Sequence, residues 1–151
     1  MIPSPDSPYV YPASLVRVVD GDTVILRLRR VQLVDFGFRF KVETCMSFEA
    51  DFRVLGIDTP ELRSSDPQER ELAQAAKLKV QQLLALGPLT VESHKSDKYG
   101  RWLCTIWIKT PEEELDLSVV LVDLKLAVPY DGKGARQPWV FPPNTPPEET
   151  P

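Results

Sequence analysis

Residues 15–30, LVRVVDGDTVILRLRR, decide the fold of this chain. Two runs rich in β-branched residues flank Asp20-Gly21, and this dipeptide is typical of a tight β-hairpin turn. In the second run Val24, Leu26 and Leu28 alternate with a mostly charged set, as expected for a half-buried strand. The stretch therefore predicts an antiparallel hairpin.

Strand-like character continues on the C-terminal side of this hairpin, over residues 31–57. Aromatic and β-branched residues alternate with charges there, and Gly37 marks a turn, so we expect an extended β-hairpin insertion near 31–51. The segments LTVESH (89–94) and RWLCTIWIK (101–109) predict two more strands, which are joined by a turn at DKYG (97–100). Trp102 and Trp107 should lie on opposite faces of the second of these strands.

Two helices are expected among the strands. Asp66 can cap the first, Pro67 suits its first turn, and Glu69 completes a pattern like the capping box, while Gly87-Pro88 ends it. A shorter helix is expected from about Leu117 to Lys125. The order β-β-β-α-β-β-α predicts an α+β, mainly β, fold in which a small barrel is flanked by helices.

The distribution of proline divides the chain into three parts. Ten of the 15 prolines lie in residues 1–12 and 138–151, and such segments are typical of extended tails. We therefore expect one folded domain at 13–137 between two Pro-rich tails. No classical signal peptide and no membrane span is recognisable. A cytoplasmic monomer with no membrane partner is the default expectation, and a secreted mature form stays open.

Scarce residue types exclude several kinds of chemistry. The 151 residues include one histidine, His94, and two cysteines, Cys45 and Cys104. A structural zinc site needs four Cys or His ligands, and these three have neither CxxC nor HxxxH spacing. No GxSxG elbow supports a Ser-His-Asp triad, and no GxGxxG or Walker A loop supports a nucleotide site. Any catalysis must therefore use carboxylates, Arg, Lys and Tyr, with or without a hard metal ion.

Candidate functional residues fall in three clusters. They are Asp20 and Asp22; Arg53, Asp58, Thr59 and Glu61; and Lys98, Tyr99 and Arg101. Each cluster alone is typical of an ordinary turn or strand exit. Barrel closure could bring them together, and two carboxylates plus a backbone carbonyl form an all-oxygen site that suits Ca²⁺ better than zinc. A third carboxylate and two guanidinium groups would complete a site for phosphodiester hydrolysis.

Three strings in this order resemble the staphylococcal (thermonuclease-type) nuclease family: VVDGDTV (18–24), FRVLGIDTPE (52–61) and DKYGRWLCTIW (97–107). The resemblance runs from about Leu15 to Tyr130, roughly three quarters of the chain. It implies an OB-fold five-stranded barrel with flanking helices. It also implies a calcium-dependent nuclease that cleaves DNA and RNA and leaves 3′-phosphate ends.

The resemblance implies a metal site formed by three residues, with a fourth residue nearby. Asp22 and Asp58 resemble the side-chain ligands of a single Ca²⁺ ion, and Thr59 resembles the residue that contributes its backbone carbonyl. Asp20, the first acid of the DGDT string, resembles a nearby carboxylate that is not itself a ligand.

It also implies catalytic and substrate-binding residues. Glu61 resembles the general base or water-orienting carboxylate, and Arg53 and Arg101 resemble the pair that binds the scissile phosphate. Lys98 and Tyr99 match positions that hold the terminal phosphate of a bound nucleotide.

The sequence departs from the family pattern in charge and in two loops. The net charge of −4 is unexpected for a protein that binds a polyanion, although 13–137 carries 18 basic against 19 acidic residues. The loop after Glu61 lacks the family's lysines, and residues 131–143 replace its C-terminal helix. Tyr130 is either a base-stacking aromatic or a turn residue. The alternative to the enzyme is an inactive OB-fold module that binds single-stranded nucleic acid or a protein partner.

Overall fold

Strands form most of the regular structure in the computed structural model, which describes residues 9–134 and Trp139. In chain order the elements are β1 (Val10–Asp20), β2 (Thr23–Asp35), β3 (Lys41–Val54), β4 (Ile57–Asp58), α1 (Pro67–Leu84), β5 (Leu89–Ser96), β6 (Trp102–Lys109), β7 (Glu114–Asp116), α2 (Leu117–Asp123) and β8 (Val128–Pro129). The predicted α+β, mainly β, class is confirmed. Apart from Trp139, the predicted tail at 138–151 lies outside the described residues, as do residues 1–8.

Five of the strands close into a barrel. β1 pairs with β2, β2 with β3, and β1 with β5, all antiparallel. β5 pairs antiparallel with β6, and β3 closes the ring by pairing in parallel with β6 at Phe52–Val54. α1 lies in the chain between β4 and β5 and packs against β1. This is the five-stranded, OB-fold type of barrel with flanking helices that the sequence predicts.

The barrel interior is filled by the alternating apolar residues of the strands. Val24, Leu26 and Leu28 on β2 are at most 2% exposed, and Ile106 on β6 is fully buried. Burying each such side chain contributes roughly 1.5–3 kcal/mol of transfer free energy, so this set holds the strands together. The hairpin predicted at Asp20-Gly21 is confirmed by the antiparallel β1–β2 register.

Some element boundaries differ from the predictions. Asp66 caps α1 as expected, since its carboxylate accepts the backbone N–H of Gln68 at 2.9 Å. α2 ends at Asp123, two residues before the predicted end, and Lys125 has a left-handed φ of 59° that is incompatible with a helix. β1 begins at Val10, three residues before the predicted domain start at residue 13, because residues 10–13 pair with β5.

β2 and β3 continue past the barrel as a long two-stranded hairpin. The strands stay in register from Thr23 opposite Arg53 to Asp35 opposite Lys41, and Gly37 turns the chain with a φ of 86°. Most side chains beyond Leu28 are exposed on both faces. The expected extended hairpin near 31–51 is therefore present and projects from the barrel.

Candidate active site

One cleft of about 690 Å³ is lined by all nine residues to which the sequence analysis assigns a metal, catalytic or substrate-binding role. They are Asp22, Arg53, Asp58, Thr59, Glu61, Lys98, Tyr99, Arg101 and Tyr130. Barrel closure brings them together because β3 and β6, which are distant in sequence, are neighbours in the sheet. Their individual roles remain predictions.

Arg53 lies between the two aspartates at the centre of the cleft. Its Nη1 is 2.7 Å from Asp22 Oδ2, and its Nη2 is 3.6 Å from Asp58 Oδ1. Nη2 also donates to the backbone carbonyl of Ile57 at 3.3 Å. Burial disfavours the arginine cation, but the two carboxylates outweigh that effect and raise the pKa of Arg53. The guanidinium group therefore links both aspartates, and its single positive charge offsets one of their two negative charges.

Asp22 is a buried carboxylate with three donors. Besides Arg53, the Thr23 hydroxyl donates to Oδ1 at 3.0 Å and the Thr59 backbone N–H donates to Oδ2 at 3.3 Å. Burial acts to raise the pKa of Asp22, but the charge of Arg53 and the hydrogen bonds outweigh it and lower the pKa. Asp22 is therefore ionised at neutral pH although it is only 6% exposed.

The turn that carries Asp22 packs tightly against the next cluster. A Cβ atom added to Gly21 would lie 3.0 Å from the side chain of Thr59, so a larger residue would force Thr59 to shift. Asp20, on the other side of the turn, has its pKa raised to about 6 by burial and by the neighbouring Asp22 charge. The turn therefore places more negative charge in the cleft than Arg53 alone compensates.

Asp97 is a site residue that the sequence analysis missed. Its Oδ2 accepts from both Nε and Nη2 of Arg101 at 2.9 Å, and its Oδ1 accepts the backbone N–H groups of Tyr99 and Arg101. Arg101 Nη1 also reaches the Thr23 hydroxyl at 3.3 Å. The spacing of DKYGR, an acid four residues before an arginine across a turn, is the signal that could have revealed this pair.

Tyr99 is exposed beside two cations. Lys98 Nζ lies 5.2 Å from the centroid of the Tyr99 ring, and Arg101 Cζ lies 5.5 Å from it. Both distances are within the range of a cation–π contact. The ring is 72% exposed at the rim of the cleft, so one of its faces can receive a base or a sugar.

A short loop after β4 carries Glu61. The backbone N–H of Glu61 donates to Glu69 on α1 at 3.0 Å, and the Ser64 hydroxyl also donates to Glu69. Glu69, expected only to assist the start of α1, thus ties the loop to the helix. The side chain of Glu61 is on the exposed rim of the cleft.

Tyr130 enters the cleft through a strand pair that the sequence does not reveal. β4 pairs with β8, with Asp58 opposite Val128, and the Tyr130 backbone N–H then donates to the Gly56 carbonyl at 2.9 Å. The residue is half-buried and lines the cleft. This position is compatible with both of the expectations for Tyr130, a stacking ring and a turn residue.

The oxygen donors of the cleft are chemically suited to a hard cation. Asp22 and Asp58 are linked through one guanidinium group, and a third carboxylate, Asp20, lies beside Asp22, where burial and the Asp22 charge raise its pKa to about 6. Among residues 9–134, however, no group of three or more His, Cys, Asp or Glu side chains forms a ready-made metal cage. The donor set therefore fits Ca²⁺ only if backbone, water or substrate oxygens complete the coordination.

The barrel with its flanking helices is an OB-like α+β fold, and its cleft is lined by carboxylates and guanidinium groups. A family model described as staphylococcal nuclease homologue matches residues 51–137, more than half of the chain. The chain therefore belongs to the staphylococcal nuclease homologue family, as the sequence motifs predict. No curated protein matches the chain. Because the matched segment begins after Asp22, the inclusion of Asp22 in the site rests on its contacts with Arg53 and Thr59.

No helix among the described residues is long and apolar enough to span a membrane.

Proposed function

We propose that the protein is a calcium-dependent nuclease that hydrolyses phosphodiester bonds of DNA or RNA and leaves 3′-phosphate ends. The observation that carries the proposal is the cleft in which a buried aspartate, a half-buried aspartate, two arginines and an exposed glutamate meet. These are the groups that water attack on a phosphodiester requires. The family and its nuclease-type fold support the same reading.

The charge of the cleft supports a requirement for a cation. Its charged lining consists of six acids and five bases: Asp20, Asp22, Asp58, Glu61, Asp97 and Asp131 with Arg53, Lys95, Lys98, Arg101 and Lys133. A polyanionic substrate would meet no net attraction in such a cleft. One divalent cation reverses the sign of the local charge, so substrate binding and metal binding should depend on each other.

Asp22, Asp58 and the Thr59 carbonyl would hold Ca²⁺, which when bound supplies positive charge to the phosphate and acidifies water. Glu61 accepts a proton from the attacking water, because it is a solvent-exposed carboxylate of the cleft that follows Asp58 closely in the chain. Arg101, aimed by Asp97, binds phosphate oxygens as charge builds on them, and Arg53 does the same from the opposite strand.

The substrate chain would then run along the rim of the cleft. Lys98 and Tyr99 contact the phosphate beside the cleaved bond, since Lys98 Nζ lies 5.2 Å from the centroid of the exposed Tyr99 ring. Tyr130, at the opposite wall, contacts the neighbouring base or sugar.

The test is cleavage of plasmid and single-stranded DNA in Ca²⁺, in Mg²⁺ and in EGTA. The Glu61→Gln variant should lose about 10²–10⁴-fold in rate, the usual contribution of general acid–base catalysis. Glu71→Gln, the same change at an exposed helical position outside the cleft, is the matched control. End-group analysis should find 3′-phosphate products.

Two outcomes would contradict the proposal, the first its assignment of Glu61 and the second the enzyme itself. Equal rates for Glu61→Gln and the parent would remove Glu61 from the chemistry. Binding of single-stranded DNA that persists in both proteins, with no cleavage in any metal, would favour the inactive OB-fold module instead.

A further inference from the structure

The outer edge of β3 is unpaired over residues 41–51. β2 covers one edge of β3 along its whole length, whereas β6 pairs with the other edge only at Phe52–Val54. Among the described residues no other strand lies beside 41–51 on that side. Exposed edges of this length are templates for pairing with another strand.

The hydrogen bonds of neighbouring residues show which backbone groups face this edge. Val54 N–H donates to the Asp22 carbonyl on the β2 side, whereas Leu55 N–H donates to the Cys104 carbonyl on β6. Because the direction alternates along a strand and the β2–β3 register has no shift, odd-numbered residues of β3 face away from β2. Cys45 therefore presents both its N–H and its C=O group to the free edge.

We propose that a second copy of this chain occupies this edge, so that two β3 strands pair antiparallel about a two-fold axis at Cys45. In that register each Cys45 faces the other, Lys41 faces Glu49, and Val42 faces Phe48. All odd-numbered pairs then exchange backbone hydrogen bonds, which satisfies the groups that the monomer leaves to water. The proposed symmetric dimer takes the place of the expected monomer. Its formation does not depend on the proposed nuclease activity.

Charge complementarity selects this register. Lys41 lies 3.8 Å from Asp35, and Glu49 forms an ion pair with Arg27. Across the two-fold axis these pairs join into one row of alternating sign, in which Asp35 and Lys41 of one copy meet Glu49 and Arg27 of the other. Like charges directly opposite one another are destabilising, and no such pair arises in this row.

Registers shifted by two residues lose this complementarity. A shift in one direction places Glu43 opposite Glu49 twice in the dimer. A shift in the other direction leaves Lys41 opposite Ser47 and Glu43 opposite Cys45. Neither arrangement pairs Lys41 with Glu49, so the register centred on Cys45 is favoured.

The face of the hairpin that carries the even-numbered residues of β3, opposite the Cys45 face, also favours a second copy over a lipid surface. Phe48 is 53% exposed and Val42 is 39% exposed, and each would gain an apolar neighbour across the new strand pair. The same face, however, carries Arg30, Gln32 and Thr44 between the apolar residues. A lipid bilayer would leave these side chains and the open backbone edge without partners, whereas a strand supplies them.

Disulfide formation tests the register directly in the full-length protein. Cys45 is exposed, whereas Cys104 is buried and burial raises the pKa of its thiol to about 12, so only Cys45 reacts readily. Hydrogen-bonded antiparallel pairs have Cα atoms about 5.5 Å apart, which a disulfide can span. Diamide, which accepts the two thiol hydrogens, should therefore crosslink the native dimer quickly.

Matched variants that each carry one exposed cysteine, with Cys104 still buried, provide the control. In a Cys45→Ser background, Glu43→Cys and Ser47→Cys place the thiol two residues to either side on the same face and edge. In the proposed register residue 43 of one copy faces residue 47 of the other, so neither introduced thiol faces its own counterpart. Crosslinking should therefore be at least about tenfold slower than at position 45. Equal rates at all three positions would overturn the register.

Charge reversal gives a second readout, measured by sedimentation velocity. Lys41→Glu creates two like-charge pairs per dimer and should raise the dimer dissociation constant about tenfold or more. Adding Glu49→Lys should restore dimerisation, while Lys77→Glu on α1 should change nothing; thermal melting checks that each variant folds. A parent chain that stays monomeric at every concentration, or that binds phosphatidylcholine–phosphatidylserine vesicles as a monomer, would overturn the proposal.

Discussion

Replacing Arg53 by glutamine should cost far more stability than the same change at Arg101. At 2.7 Å and an effective dielectric constant of about 20, the Arg53–Asp22 attraction is worth roughly 6 kcal/mol before desolvation is subtracted. Removing one member of a buried pair typically costs about 3–5 kcal/mol because the other charge stays buried. Thr23 and Thr59 still donate hydrogen bonds to Asp22 in the variant. We therefore expect Arg53→Gln to lose about 3 kcal/mol of unfolding free energy, the lower end of that range.

Arg101→Gln is the matched comparison because Arg101, like Arg53, forms an ion pair with a cleft aspartate, in this case Asp97. Its side chain is 29% exposed, against 15% for Arg53, and water can replace the lost contact. We expect this variant to lose about 1 kcal/mol of unfolding free energy, the upper end of the range for exposed ion pairs. The difference of about 2 kcal/mol corresponds to roughly 4–8 °C in melting temperature for a domain of this size.

The assay is urea denaturation and thermal melting of both variants at pH 7 in EGTA, which keeps calcium from replacing the lost charge. Equal losses at the two positions would refute the argument that burial of Asp22 makes the Arg53 pair the more important one. A loss below about 1 kcal/mol for Arg53→Gln would show that Asp22 reaches water or takes up a proton in the variant.

Two further predictions concern the acids of the cleft. Asp97→Ala should free Arg101, lowering cleavage about tenfold and stability by about 1–2 kcal/mol. Although burial opposes it, the hydrogen bonds and charge of Arg101 keep the pKa of Asp97 below 3.8 in the folded protein. Asp97 therefore contributes its full share of the free energy of unfolding above its unfolded pKa of 3.8, and this share is lost as the pH falls through its lower pKa in the folded protein. Urea denaturation should give the parent and the variant the same free energy of unfolding well below pH 3.8. Calcium at 100 times its dissociation constant should stabilise the parent by about 2.7 kcal/mol by mass action, and an unchanged melting temperature would contradict the proposed metal site.

The candidate site shows where residue patterns stop being informative. The three motifs predict which residues line the cleft, because each motif is a local string with its own spacing. They do not predict that Arg53 bridges Asp22 and Asp58, since Arg53 on β3 meets Asp22 in the β1–β2 turn only after β2 and β3 pair. Asp97 was missed for a related reason: its role is visible only when the turn folds its carboxylate onto Arg101.

The amino-acid sequence by itself determined the local elements of this protein and the family to which it belongs. The alternation of Val24, Leu26 and Leu28 encodes a half-buried strand, and Asp66-Pro67 encodes the start of a helix, because both signals act between residues close along the chain. Only the tertiary structure decided the parallel β3–β6 contact that closes the barrel, the β4–β8 pair that brings in Tyr130, and the open edge at Cys45. These features depend on long-range pairing, whose energy comes from burying surfaces that are distant in sequence and that no local pattern specifies.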